Sequence, residues 1–447
     1  MDAVASIPLI GGPIATILPF VVVLGIVVFV HEYGHYVVAR WCGIRAEVFS
    51  IGFGPVLWSR HDRRGTLWQV AALPLGGYVK FVGDADGASR ADQTKLDSIP
   101  AAERAESFHG ASVWRRMLTV LAGPVFNFLL TIVVFAGIAM WQGMPTERPT
   151  IGEAAALPGA VQTLRAGDVL LSVNGKPVNG FEDIFTAAQE MPVPGAMAVR
   201  VERGGDTLDL DAPYALPALV QGIEPLSPAS EAGLKRGDLI LEADGKPLAS
   251  FDSLRAVVLA SGGRTIPLLV WRDGVRVVLE ITPKERDTED GAGGFERRVM
   301  IGVAGGPLYL PATETPMPWT AVAYGAERVV QIIVQSLNGI RYIVTGVIGA
   351  ENLQGPLGIA QISGETAAQG LLDLVALIGI ISTAIGLLNL FPIPVLDGGH
   401  FVVFVIEAVR GRPPSPAVMQ VAMSIGLGLI LLLMVFATYN DIMRMVS

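Results

Sequence analysis

"VFVHEYGHYVV" (Val28–Val38) closes a long apolar stretch with two histidines, a glutamate and two tyrosines. Ionisable side chains are costly beside a membrane-length apolar run, and those that occur there usually carry function. In a helix, His31 and His35 lie one turn apart on one face, so both imidazoles can reach a single zinc ion. Glu32 lies beside them and can take a proton from water, whose pKa zinc lowers to about 7. Such a short motif also recurs by chance in unrelated proteins. Its place at the end of an apolar run argues for chemistry.

Composition agrees with a membrane setting. Of 447 residues, 51% are hydrophobic and only 16% charged, and the mean hydropathy is +0.52. A soluble domain carries about 25% charge. The middle, from about Glu147 to Met300, nonetheless reads as ordinary soluble protein, so apolar ends enclose a water-loving insert. The net charge of −9, with no basic cluster, gives no footprint for nucleic acid. The one cysteine, Cys42, excludes an internal disulfide and a cysteine-based zinc site. Met1 to Gly12 has no Lys or Arg, so the apolar run from Pro13 reads as a retained membrane helix rather than a cleaved signal.

Four segments approach the ~20 apolar residues that cross a bilayer: Pro13 to Val38, Met117 to Trp141, Leu371 to Phe391 and Val418 to Thr438. A fifth, Glu327 to Gly349, is interrupted by Gln331, Gln335, Asn338 and Arg341, and its spacing suits an amphipathic helix on the surface. Arginines and lysines crowd the loop between the first two spans, from Arg40 to Arg116 and including Arg90 and Lys95. Arg410 and Arg412 follow the third span. The positive-inside rule places both loops in the cytoplasm and the insert outside.

The insert repeats itself. "RAGDVLLSVNGKPVNGFEDI" (Arg165–Ile184) aligns with "KRGDLILEADGKPLASFDSL" (Lys235–Leu254) at a constant offset of 70 residues. Each copy has a Gly-Asp turn, an alternating strand, an Asn-Gly or Asp-Gly turn, and a helix beginning near Phe181 or Phe251. Both resemble PDZ domains, the second copy more closely, and a groove beside Gly222 and Ile223 is the expected place for peptide capture.

A zinc hydrolase needs a third protein ligand, and "LLNLFPIPVLDGGH" (Leu387–His400) offers Asp397 on irregular backbone. The alternative is a solvated aspartate in a Pro-Gly loop. Parity favours the ligand: the first and third spans run the same way, so His31, His35 and Asp397 fall on the same side. A fifth span would break this agreement. His61, His109 and His400 read as surface or structural residues, and Asn127, inside the second span, reads as a polar contact to another helix.

H-E-Y-G-H, the distant N-x-x-P-x-P-x-x-D-G-G and the PDZ pair together resemble the site-2 protease family, and within it the bacterial regulator-of-sigma-E type. The resemblance covers nearly the whole chain. It implies an intramembrane zinc metalloprotease of the bacterial inner membrane that cuts transmembrane segments of single-span proteins, commonly pre-trimmed anti-sigma factors, with signal-peptide remnants as other candidate substrates. It further implies His31, His35 and Asp397 as zinc ligands, Glu32 as general base and Asn389 as a holder of substrate backbone.

The expected architecture is a polytopic α-helical membrane protein. It has an N-terminal half (1–141), PDZ-like domains at 145–216 and 217–305, a linker with an amphipathic helix (306–370) and a C-terminal half (371–447). A hairpin from Gly54 to Gly83 is expected on the cytoplasmic membrane face, where an open edge can add unwound substrate as a strand. "GPLGIA" (Gly355–Ala360) reads as a re-entrant or surface turn, or as a plain linker. The competing readings are a membrane-tethered PDZ adaptor with a structural or vestigial metal centre, which leaves Glu32 without a purpose, and a transporter-like protein, which lacks a membrane repeat.

Overall fold

The computed structural model describes residues 11–85, 98, 100–159, 161–191, 194–289 and 295–446. Arg90, Lys95 and the first ten residues of the chain lie outside them. The chain divides into two compact units, Met1–Ile138 with Pro318–Ser447, and Ala139–Met317.

The first unit begins with α1 (Gly11–Trp41), which carries the H-E-Y-G-H motif. At 1.5 Å per residue its 31 residues exceed the thickness of a bilayer core. Strands β1 (Ala46–His61) and β2 (Leu67–Phe81) follow, and each folds on itself. Phe49 pairs with both Val79 and Trp68, while Trp58 pairs with Val70. The pair therefore makes a four-segment sheet ordered 77–81, 46–51, 67–71, 56–61. It bends at Gly52 and Gly54, whose φ of 89° and 83° suit glycine. The outer segment exposes Val56, Leu57 and Trp58. The inner end packs into an aromatic core: Phe49 stacks on Trp68 at 4.2 Å, with Tyr36 of α1 on its edge at 5.8 Å. Helix α2 (Val113–Gln142) is the second long apolar helix.

In the second unit, β3 (Met144–Pro145), β4 (Ile151–Ala154), β5 (Val169–Val173), β6 (Lys176–Pro177), α3 (Asp183–Gln189), β7 (Met197–Arg203) and β8 (Asp206–Ala212) build the first repeat. Its four-stranded sheet runs β6-β5-β7-β8. The second repeat contains β9 (Leu219–Ile223), β10 (Leu239–Ala243), β11 (Lys246–Pro247), α4 (Phe251–Ala260), β12 (Ile266–Arg272) and β13 (Val275–Ile281). Strands β14 (Lys284–Glu289) and β15 (Phe295–Met300) form a ribbon, and β16 (Val303–Gly306) returns to β9. Then β17 (Tyr309–Pro311) pairs with β4, and β18 (Thr313–Glu314) with β3. Leu308 and Tyr309 are fully buried in the core of the first repeat. The two repeats are therefore nested rather than in simple tandem: the chain leaves the first, completes the second, and returns.

The groove expectation also changes. Gly222 and Ile223 lie on β9, whose backbone faces β16, with Val303 opposite Ile223 and Ala304 opposite Gly222. That edge is taken by the chain itself, because residues after the repeat supply the sheet's last strand. The edge strand of the path β13-β12-β10-β9-β16 is β16, and its Gly305 lies against the Phe251 ring of α4.

The chain re-enters the first unit with α5 (Pro318–Val344). This helix starts nine residues earlier than the amphipathic pattern suggested. It packs Gly325 on Ile132 of α2 and Arg328 over the Phe135 ring, so it is no free surface helix. "GPLGIA" opens a helix, α6 (Pro356–Gln369), in place of the expected turn or linker. Asp441 accepts the N–H groups of Gly355 and Gly358 at 3.0 and 2.9 Å and so caps its first turn from a distant helix. No local cap residue announces it. Helices α7 (Leu371–Asn389), α8 (Asp397–Arg410) and α9 (Pro416–Val446) complete the unit. Among the described residues four helices are long and apolar enough to cross a membrane: α1, α2, α7 and α9. These features fit a membrane protein with PDZ-like domains.

Candidate metal centre

Helix α1 brings His31 and His35 to one face, and the start of α8 brings Asp397 against them. His31 Nε2 stands 3.2 Å from His35 Nε2, and Asp397 Oδ2 stands 3.1 Å from the former and 3.4 Å from the latter. Ligands held ~2.0–2.1 Å from zinc at the corners of a tetrahedron stand ~3.3 Å apart. The three atoms thus already describe one face of such a tetrahedron. His35 Nδ1–H donates to the Thr119 carbonyl at 2.8 Å, which leaves Nε2 with its lone pair toward the other two. Asp397 Oδ2 is buried without a hydrogen-bond partner among the described residues. A cation between the three resolves that otherwise costly arrangement, so the donor set fits zinc. These are also the only described groups of three or more such side chains close enough to share an ion.

The surrounding sequence explains how ligands from distant segments meet. A Cβ on Gly34 would come within 2.6 Å of the Ala122 carbonyl, and one on Gly123 would overlap the imidazole of His35. The glycines let α1 and α2 approach until α2 backs the ligands. Gly398 and Gly399 have the same role, because side chains there would overlap the carbonyls of Leu390 and Ile393. The loop between α7 and α8 is strained: Val395 has φ 131°, a conformation that costs a β-branched residue about 1–3 kcal/mol. The other end of α8 is clamped to α2, where Arg116 makes a two-pronged ion pair with Glu407 at 2.6 and 3.1 Å and lies 4.8 Å over the Phe404 ring. Asp397 is therefore held from both ends of its helix.

The three ligand candidates open on a cavity of about 770 Å³, shared with Glu32, Asn389, Val395, His400 and the hairpin residues Gly52, Phe53, Gly54, Gly77 and Tyr78. Gly77 lies close to Glu32, so that a Cβ there would stand 3.0 Å from Glu32 Cγ. Asn389 Nδ2 donates to the Ile385 carbonyl at 3.1 Å. The expected residues His31, Glu32, His35, Asn389 and Asp397 thus come together, whereas Gly222 and Ile223 belong to the other unit. Of the remaining histidines, His61 is exposed and His109 pairs with Asp84 at 3.2 Å. Sequence reasoning missed Thr119, Gly123 and Val395 and read Asn127 only as an interhelical contact. The four-residue spacing of Thr119, Gly123, Asn127 and Thr131 in an apolar span was the available signal.

Comparison with known proteins agrees with this geometry. Residues 19–433 match Peptidase family M50. A protein of Agrobacterium fabrum named as a zinc metalloprotease is 36% identical over 436 residues, covering 96% of each chain. Protease RseP of Yersinia pestis is 33% identical over 457 residues, covering 95% of this chain and 98% of its own. The regulator of sigma E protease of Salmonella typhi is 32% identical over 460 residues with the same coverage. The chain belongs to peptidase family M50, the site-2 protease family of zinc metalloproteases.

Proposed function

We propose that this metalloprotease cuts the transmembrane segments of single-span membrane proteins, with His31, His35 and Asp397 holding zinc and Glu32 acting as general base. The observation that carries the reading is the three-atom ligand face opening on a cavity that Glu32 lines. A structural zinc site is closed by four protein ligands, whereas a catalytic one keeps a position open. Three protein ligands beside a cavity therefore favour the enzyme over the adaptor.

Bound zinc would supply Lewis acidity to water and to the scissile carbonyl. Glu32 takes the proton that water must lose and returns it to the leaving amine. Asn389 uses one N–H on Ile385 and keeps a second, with its carbonyl, for the substrate backbone. A transmembrane helix has its peptide groups internally bonded, so it must unwind before attack. The hairpin supports that step, because its glycine bend faces the cavity and its outer segment, 56–61, is an edge able to pair with extended chain.

The positively charged loops support a reading with the ligands near the cytoplasmic face and the nested repeats outside. There the repeats limit access to substrates already trimmed by another protease, such as anti-sigma factors. Chromosomal Glu32→Gln tests the reading. The variant should keep its zinc, lose cleavage by several orders of magnitude, and let uncut single-span proteins accumulate in membrane proteomics. A purified Glu32→Gln enzyme that still cuts at the wild-type rate overturns it.

A further inference from the structure

The face of α2 toward the ligands repeats every fourth residue, at Thr119, Gly123, Asn127 and Thr131. The Thr119 carbonyl fixes the His35 ring, and Gly123 leaves room for it. Asn127 stands one turn further on. Its Nδ2 is 3.2 Å from His31 Nδ1, and its Oδ1 is buried with no hydrogen-bond partner among the described residues. The residue is wholly enclosed, and its backbone carbonyl accepts the Ser382 hydroxyl of α7 at 2.9 Å.

With Nδ2 toward the ring, the amide N–H donates to Nδ1 and the imidazole proton falls on Nε2. That is the atom 3.1 Å from Asp397 Oδ2, and a protonated nitrogen cannot ligate. Rotating the carboxamide by half a turn exchanges two atoms of almost equal size. Oδ1 then accepts Nδ1–H, and Nε2 is bare. The exchange puts the NH2 group, with its two N–H donors, where the unpartnered carbonyl stood, so neither orientation satisfies the whole carboxamide and the histidine decides.

We propose that Asn127 is a positioning residue for the metal centre: its side-chain oxygen accepts the Nδ1 proton of His31 and fixes the tautomer that presents Nε2 to the ion. His35 obtains the same service from a backbone carbonyl, so the two histidines are set by one stripe of one helix. The inference rests on the ligand set given under Proposed function, and the test separates the two.

Zinc affinity of the full-length chain in detergent is measured by chelator competition for the wild type, His31→Ala, Asn127→Leu and Asn127→Asp. Asn127→Leu keeps the branched shape and removes the acceptor, and it should weaken zinc binding about 10- to 100-fold. Asn127→Asp keeps an acceptor for Nδ1–H and should bind within a few-fold of wild type. Wild-type affinity in Asn127→Leu, or equal losses in the Leu and Asp variants, overturns the inference. If His31→Ala binds zinc as the wild type does, the ligand set itself fails. Loss in His31→Ala without loss in Asn127→Leu sinks only the role of Asn127. Should Asn127→Leu not accumulate in membranes, Asn127→Ala takes its place and is read in the same way.

Discussion

Asp168 and Asp238 in the nested repeats are 1% exposed, more deeply buried than the candidate ligands His31 and His35, yet each is fully answered. Arg203 grips Asp168 through two nitrogens at 2.7 Å, and Arg272 grips Asp238 in the same way. The amides of Arg165 and Lys235 add a bond at 2.8 Å to each. The tight turns of the repeats place positive φ on Asn174-Gly175 and Asp244-Gly245, residues that tolerate it, although Leu226 of the second repeat also has φ 56°. The candidate metal centre differs. Asp397 Oδ2 and Asn127 Oδ1 have no hydrogen-bond partner among the described residues, and a positive φ falls on the β-branched Val395. An unpaired buried polar group costs about 1–3 kcal/mol. The repeats are built for stability, while the centre is held in a costly arrangement by the helices around it, the pattern expected of a functional site.

The contrast can be broken first at its costliest point. Asp397→Asn should lower zinc affinity by at least about 100-fold, more than loss of an outer-shell partner does, and abolish cleavage with it. The unfolding of the repeats should not change. Zinc retained at wild-type affinity would mean that Asp397 is no ligand.

Asp168→Ala should do the reverse. It removes two bonds from Arg203 and one from the Arg165 amide and should destabilise the first repeat, seen as faster hydrogen exchange across Met197–Arg203 in the full-length protein, with zinc content untouched. Acid tests the same pair more gently. Burial pushes the Asp168 carboxyl up, but the bonds from Arg203 and the Arg165 amide hold it below the usual carboxylate range. Its contribution is therefore complete above the unfolded value of about 4 and is lost as pH falls through the folded one. Protection of this repeat should fade on that acid side and stay level toward neutrality. The smallest effect is expected at Val395→Gly. Relief of strain and the extra freedom of the unfolded glycine should leave stability within about 1 kcal/mol, while zinc affinity falls slightly because the loop before Asp397 is looser. An unchanged affinity would show that the strain has no part in placing the carboxylate.

Much of this was readable from the chain. The four apolar helices, the paired histidines and the Gly-Asp repeats are local patterns, written in neighbouring residues with a period or a spacing. The rest depends on distant partners. Near Pro356 only the proline itself, at the first helical position, marks a helix start; no Ser, Thr, Asp or Asn caps it locally, because its cap is Asp441, more than eighty residues away. Gly222 and Ile223 were expected beside a peptide groove, because the strand that pairs with them, β16, follows long after. The four-segment sheet was read as a plain hairpin because its bends rest on single glycines, Gly52 and Gly54, inside strands that otherwise alternate. Asn127 was legible as polar among apolar residues, but its partner, His31, could be named only once two helices were placed side by side.

The nesting of the repeats also sets an order of events on the ribosome. Strand β4 cannot meet β17, nor the first core receive Tyr309, until every residue of the second repeat has been made. The stretch from Pro217 to Gly306 separates them. At typical rates of synthesis that is a wait on the order of 10 s. During it the first repeat has an open edge beside β4, and the second also lacks its last strand until β16 (Val303–Gly306) is made, just before Tyr309. The Leu308 amide then bonds the Ala215 carbonyl at 2.8 Å and brings the ends of the insertion together. Both repeats thus close only as the last strands of the insert are made, and a nascent chain stalled short of Tyr309 exposes an unfinished sheet to any chaperone or protease that it meets.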